Sequence, residues 1–204
     1  MPDKLERRWF ALCEKAGLDG AAMWDELVHG YGKGQLAYHN LAHIGDCCGL
    51  LDAHRELAED EVSVELAIFF HDLVYDPRRN DNEELSAKRA ETFLAATRYA
   101  GPVASLIMAT KHASPPSGND ARLICDIDLS ILGRSEEVYG RYARAIRQEY
   151  GWVPEPDYRK GRCGVLEKFL GRERIFSHCA FADMYEASAR RNLADEIKRL
   201  QQGD

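Results

Sequence analysis

Leu66-Ala67-Ile68-Phe69-Phe70-His71-Asp72-Leu73-Val74-Tyr75-Asp76 is the stretch that decides how the rest of the chain reads. Leu66, Phe69, Phe70 and Leu73 fall at i, i+3, i+4 and i+7, and Ala67, Ile68 and Val74 fill the other sides. That pattern predicts a helix apolar nearly all round, placed in the middle of a core and stopped by Pro77. Into it are set two adjacent ionisable residues, His71 and Asp72. Burying either without a partner costs on the order of several kcal/mol. Neighbours at i, i+1 on a helix do not face each other, so the pair is expected to need partners from elsewhere. One solution is a His capped by a backbone carbonyl beside a salt-bridged Asp. The other is a metal cation, because imidazole nitrogen and carboxylate oxygen both ligate one.

Outward from this stretch the periodicity is helical nearly everywhere, with no convincing strand. Helices are predicted over roughly 3–16 and 21–31, separated by Gly17-Leu18-Asp19-Gly20. Asn40 is a good N-cap for a third helix to about Leu57, with Leu41, Ile44, Cys47, Cys48 and Leu51 as its apolar stripe. After the polar loop at 77–81, an amphipathic helix is predicted from about Asn82 to Tyr99, and another opens at Pro102 and ends near His112. Leu123 to Leu132 is apolar except for Asp126, Asp128 and Ser130, and reads as a helix because a lone strand would have nothing to pair with. Further helices are expected from Ser135 to Tyr150, after Pro154 and Pro156, and from about Ala180 to Leu200. With no repeat, low-complexity tract or long linker, the expectation is an all-α fold, one domain over residues 1–204 with about eight to ten helices in a bundle.

Composition narrows the function. The 204 residues carry a formal net charge of -7, which argues against a nucleic-acid polymer or a membrane surface as partner. No apolar run approaches the ~20 residues a bilayer span needs, and Met1 to Arg8 lacks the apolar stretch of a signal peptide, so a cytoplasmic location is expected. The six cysteines form no C-x-x-C pair and lie in apolar helical patterns, as small buried hydrophobes do in a reducing compartment.

Four suspect positions, His43, His71, Asp72 and Asp128, are ionisable residues on faces that should be buried, spread over separate helical segments. Tyr38-His39-Asn40-x-x-His43, His71-Asp72-Leu73-Val74-Tyr75-Asp76 and Asp81-Asn82-Glu83-x-x-Ser86-Ala87 resemble the motifs of the HD-domain superfamily of metal-dependent phosphohydrolases. They are similar in particular to a bacterial branch of predicted HD phosphohydrolases of about this length, with the likeness extending to Gly161-Arg162 and Ala189-Arg190-x-Asn192-Leu193.

The resemblance implies an HD-type helical bundle that hydrolyses a small phosphoester, a nucleotide among the candidates, with metal-activated water. It implies His43, His71, Asp72 and Asp128 as metal ligands, choosing Asp128 over Asp126 because the HD pattern places the ligand just before an apolar residue. The ion would be Mn, Fe, Co, Ni, Zn or Mg, in one or two copies. Asp72 and Glu83 are the implied catalytic carboxylates, though Glu83 in a first turn equally suits the helix dipole. His39, Lys111, His112 and Arg162 are the implied substrate contacts, with Arg78 and Arg79 also available for phosphate. Against these stand plainer readings: His39 closing the Gly-rich loop, His112 interacting with a helix C-terminus, and Tyr38 and Tyr75 as packing. His29, His54 and His178 match no motif. Two other functions are compatible with the same motifs, an HD-type di-iron oxygenase and a non-catalytic nucleotide-binding sensor.

Overall fold

The computed structural model describes residues 2–34 and 36–203, and all regular secondary structure among them is helical. The helices are α1 (Pro2–Ala16), α2 (Ala21–Tyr31), α3 (Leu41–Ala53), α4 (Glu61–Phe70), α5 (Asn82–Leu94), α6 (Ala100–Ala109), α7 (Asn119–Leu129), α8 (Glu136–Glu149), α9 (Glu155–Leu170) and α10 (Ala187–Gln202). Among the described residues, no helix is long and apolar enough to cross a membrane. The chain forms two compact units, divided after Ile127. That division falls inside α7 and not in a connecting loop.

In the first unit α4 is the central element, packed against α1, α3, α5 and α6. Every residue from Ser63 to Phe70 is buried, as expected for a helix apolar on all sides. Trp9 of α1 stacks edge-on against Phe69 and Phe70, with ring centroids 5.1 and 5.9 Å apart, and its indole N–H donates to the Gly20 carbonyl at 2.9 Å. Each large apolar side chain buried here contributes about 1.5–3 kcal/mol. Glu65 is the one charged residue in the buried run, and Arg8 reaches it while also holding Asp52 at 2.6 Å. The helix starts where Asp60 caps it, its side chain accepting from the Ser63 N–H and hydroxyl at 3.2 and 2.9 Å.

Among the helices that end earlier than the periodicity predicts are α5, α6 and α3. α5 stops at Leu94 because Thr97 folds back, its N–H and hydroxyl both donating to the Leu94 carbonyl at 2.8 Å. α6 stops at Ala109, and the chain turns through a left-handed His112 at φ 53°. α3 ends at Ala53, with a separate 3₁₀ turn over Arg55–Leu57 whose last carbonyl accepts from the Asn119 side chain.

The second unit packs α8, α9 and α10 with the 3₁₀ turn Ser130–Gly133. The expected final helix is interrupted. A turn of α-helix at Cys179–Phe181 passes into a π-helical turn, Ala182–Glu186, before α10 begins. This turn lies against Gly133, where a Cβ would come 2.4 Å from the Cβ of Tyr185 and 2.6 Å from its carbonyl oxygen. Glycine is required there by close approach. The unit's interior also holds Tyr139, Arg162 and Glu196, which bond one another.

The cysteines divide by environment: Cys13, Cys47, Cys48 and Cys125 are buried, Cys163 is half-buried and Cys179 is exposed. Burial pushes the Cys13 and Cys48 thiols up to about 12. Both folded values lie above the ordinary 9.0, so this contribution to stability is complete below about pH 9 and is lost as pH rises towards about 12. A thiol reagent at pH 8 is expected to modify Cys179 promptly and the four buried cysteines only on unfolding. Rapid modification of Cys13 or Cys48 in the folded protein would contradict this environment.

Candidate metal centre

His43 is placed by a cap. The Asn40 side chain accepts from the Ala42 N–H at 2.9 Å and donates to the Ala37 carbonyl at 3.1 Å, which starts α3 at Leu41 and sets His43 in its first turn. His71 is placed by a helix end. α4 stops at Phe70, six residues before the position expected from Pro77, and His71 is its C-cap. Its Nδ1 lies 2.9 Å from the Ile68 carbonyl. A carbonyl only accepts, so Nδ1 carries the proton and Nε2 presents a lone pair in the neutral ring.

That lone pair faces three other donors. Nε2 of His43 lies 3.2 Å from Nε2 of His71, and Oδ2 of Asp72 lies 3.0 Å from His71 Nε2 and 3.8 Å from His43 Nε2. His43, His71 and Asp128 each offer one atom to a group whose members all lie within 4.8 Å of one another. Asp128 rides on the last turn of α7, directly after Ile127, so its position follows from that helix. The group takes in Asp128 and not Asp126, which is buried two residues earlier on the same helix. His43 and His71 are 5 % and 2 % exposed, so water does little to separate these lone pairs.

A cluster of this kind needs positive charge between its members. A single proton bridges two atoms, whereas a cation takes four or more donors. Two donors bound to one ion at about 2.1 Å, at angles between square and tetrahedral, stand about 3.0 to 3.4 Å apart. The 3.0 and 3.2 Å separations match that spacing, and the 3.8 Å between His43 and Asp72 is wider than it. A nitrogen and oxygen donor set without thiolate suits a divalent first-row ion or magnesium. Cys47, one turn on from His43 in α3, brings its buried Sγ no closer than 3.8 Å to either ring nitrogen of His43.

The expectation that His71 and Asp72, as neighbours on a helix, do not face each other is corrected. It holds inside a helix, but here the helix has ended and residues 71–76 form an open turn, which lets the Asp72 carboxylate swing back to His71. The turn is gripped from two sides. From α2, Gly30 lies so close that a Cβ there would meet Leu73 Cδ1 at 2.6 Å and the Leu73 carbonyl at 2.9 Å. The neighbouring Tyr31 is buried and donates to the Phe69 carbonyl at 2.9 Å. Burial, and next the Asp72 charge, hold the Tyr31 hydroxyl well above its usual pKa, so it stays a donor. From α5, Ser86 and Asn82 bond the backbone of Val74 and Asp76.

The remaining sequence-predicted residues fare differently. His39 lies outside α3, stacked on Tyr75 with centroids 3.8 Å apart, edge-on to Tyr38, and 6.3 Å from the His43 ring. It therefore stands beside the cluster as part of an aromatic wall. Glu83 is half-buried in the first turn of α5. Lys111 donates to the Asn80 carbonyl at 3.0 Å and to Glu84, which ties the loop after the turn to the end of α6. His112 follows in its left-handed conformation, half-buried and outside the group of His43, His71 and Asp128. Arg79 pairs with Asp81 at 2.7 and 2.8 Å, and the Arg78 N–H donates to the Asp76 side chain at 2.9 Å. Arg162 belongs to the second unit and is spent within it, donating to Glu196 at 2.8 and 3.2 Å and to the Tyr142 hydroxyl at 3.4 Å. The arginine expected at the substrate phosphate is engaged here in an interior ion pair. Ser86 was visible in the sequence as part of the Asp81-Asn82-Glu83-x-x-Ser86-Ala87 motif, which does not disclose what it bonds.

No protein-family model, curated protein or solved structure matches the chain.

Proposed function

We propose that this protein is a metal-dependent phosphohydrolase of the HD type, acting on a small phosphoester. The observation that supports the reading is the group formed by His43, His71 and Asp128, whose ligand atoms lie within 4.8 Å of one another, with the Asp72 carboxylate 3.0 Å from His71 Nε2. His43, His71, Asp72 and Asp128 would hold the cation. When bound, such an ion lowers the pKa of water towards neutrality and polarises a phosphoryl oxygen. The protein's own groups supply the rest. The Ile68 carbonyl keeps the His71 proton on Nδ1, so Nε2 stays available as a donor atom. Asp72, whose side chain is 13 % exposed, would take a proton from water entering the site. The His39 and Tyr75 rings wall the approach next to His43.

The test is removal and return of the ion. Chelator-treated protein is expected to lose hydrolysis of phosphoester substrates by at least about a hundredfold and to recover it with one or more divalent ions. Turnover that survives full removal of metal would overturn the reading. Two irons per chain with a visible absorption band would point to an oxygenase, and tight nucleotide binding without turnover to a sensor.

A further inference from the structure

The turn that carries Asp72 has few helical hydrogen bonds of its own. After Leu73, whose N–H donates to the Phe70 carbonyl at 3.0 Å, the next backbone groups are met from α5. The Val74 N–H donates to the Ser86 hydroxyl at 3.1 Å, and that hydroxyl lies 3.4 Å from the Val74 carbonyl. The Asp76 N–H donates to the Asn82 side-chain oxygen at 3.1 Å, and the Asn82 amide donates to the Asp76 carbonyl at 3.0 Å. Ser86 is fully buried and Asn82 is 8 % exposed, so water cannot readily replace either side chain. Two neutral side chains one turn apart on α5 thus satisfy both backbone groups of two alternate residues, as a neighbouring strand would.

We infer that Asn82 and Ser86 are positioning residues that hold the 71–76 turn so that Asp72 stays on the cation. The role rests on the proposed function, because the ion is what the turn presents Asp72 to. Without the clasp the half-buried backbone of Val74 and the Asp76 N–H would lose these partners, the Asp76 carbonyl keeping only the Arg79 N–H at 2.9 Å, and loosening of the turn would carry Asp72 away from His71. His43 and His71 would keep their places, since the Asn40 cap and the Ile68 carbonyl hold them.

The experiment is metal titration of the purified chain with Mn²⁺ or Co²⁺, with amide hydrogen exchange of the metal-free protein alongside. Asn82→Ala/Ser86→Ala is expected to weaken ion binding about 10- to 100-fold and to accelerate exchange at Val74 and Asp76. In an Asp72→Ala background the same pair of changes is expected to alter affinity by less than about twofold, because the clasp acts through Asp72. An equal loss in both backgrounds would show a merely structural role and overturn the inference, as would wild-type affinity in the clasp variant. Where the double variant does not fold, Ser86→Ala alone, favourable for a helix, gives the same comparison. A wild-type chain that takes up no ion sinks the hydrolase reading and the positioning role together, whereas an unaffected clasp variant sinks the positioning role alone.

Discussion

His71→Ala is expected to abolish high-affinity metal uptake and phosphoester hydrolysis together while leaving the helical content of the protein in place. The imidazole is the member of the cluster with two other donors close by, Asp72 at 3.0 Å and His43 at 3.2 Å. Removing it takes out a ligand and also the group that fixes the spacing of the others. Loss of a direct ligand exceeds the roughly 10- to 100-fold that outer contacts are worth, so binding should fall below detection at micromolar ion. The fold should tolerate the change because His71 is a C-cap at the end of α4 and not part of the buried face from Ser63 to Phe70. Its contact with the Ile68 carbonyl is worth about 1 kcal/mol. Metal content by elemental analysis, far-UV circular dichroism and hydrolysis, measured on the same preparation, decide the matter. Retained turnover in the variant would remove the proposed chemistry, and lost helicity would show that His71 serves the core instead.

The contrast between what the sequence discloses and what it conceals follows the range of the interactions. Helix α4 was legible because its periodicity is local and its burial total. The ionisable residues of the cluster were legible as charge placed in apolar runs, which is costly enough to demand a reason. Three things were not. The open turn after His71 is bonded from the next helix, by Ser86 at Val74 and by Asn82 at Asp76. The π-helical turn at Ala182–Glu186 depends on the approach of Gly133, far away in the chain. The use of Arg162 depends on Glu196, a partner a full helix later. Each is a contact between distant residues that no window of sequence contains.

Arg162→Met is expected to destabilise the second unit by about 3–5 kcal/mol, and Glu196→Ala by a similar amount, because each leaves the other charge buried without its partner. Both side chains are nearly closed to solvent, at 8 % and 7 % exposure, which separates this pair from the many surface ion pairs of the chain. Tyr139 adds to the cost of losing Glu196, since its buried hydroxyl donates to that carboxylate. Burial, and next the Glu196 charge, hold the Tyr139 hydroxyl far above its usual pKa, so it donates at every pH at which the protein is handled. The double replacement Arg162→Met/Glu196→Leu removes both charges and should cost clearly less than the two single changes added together. Urea denaturation followed by circular dichroism measures all three. If Arg162 instead serves a substrate phosphate, the single change would leave the urea midpoint where it is and reduce turnover alone. That outcome would return Arg162 to the site and leave the buried pair without a stabilising role.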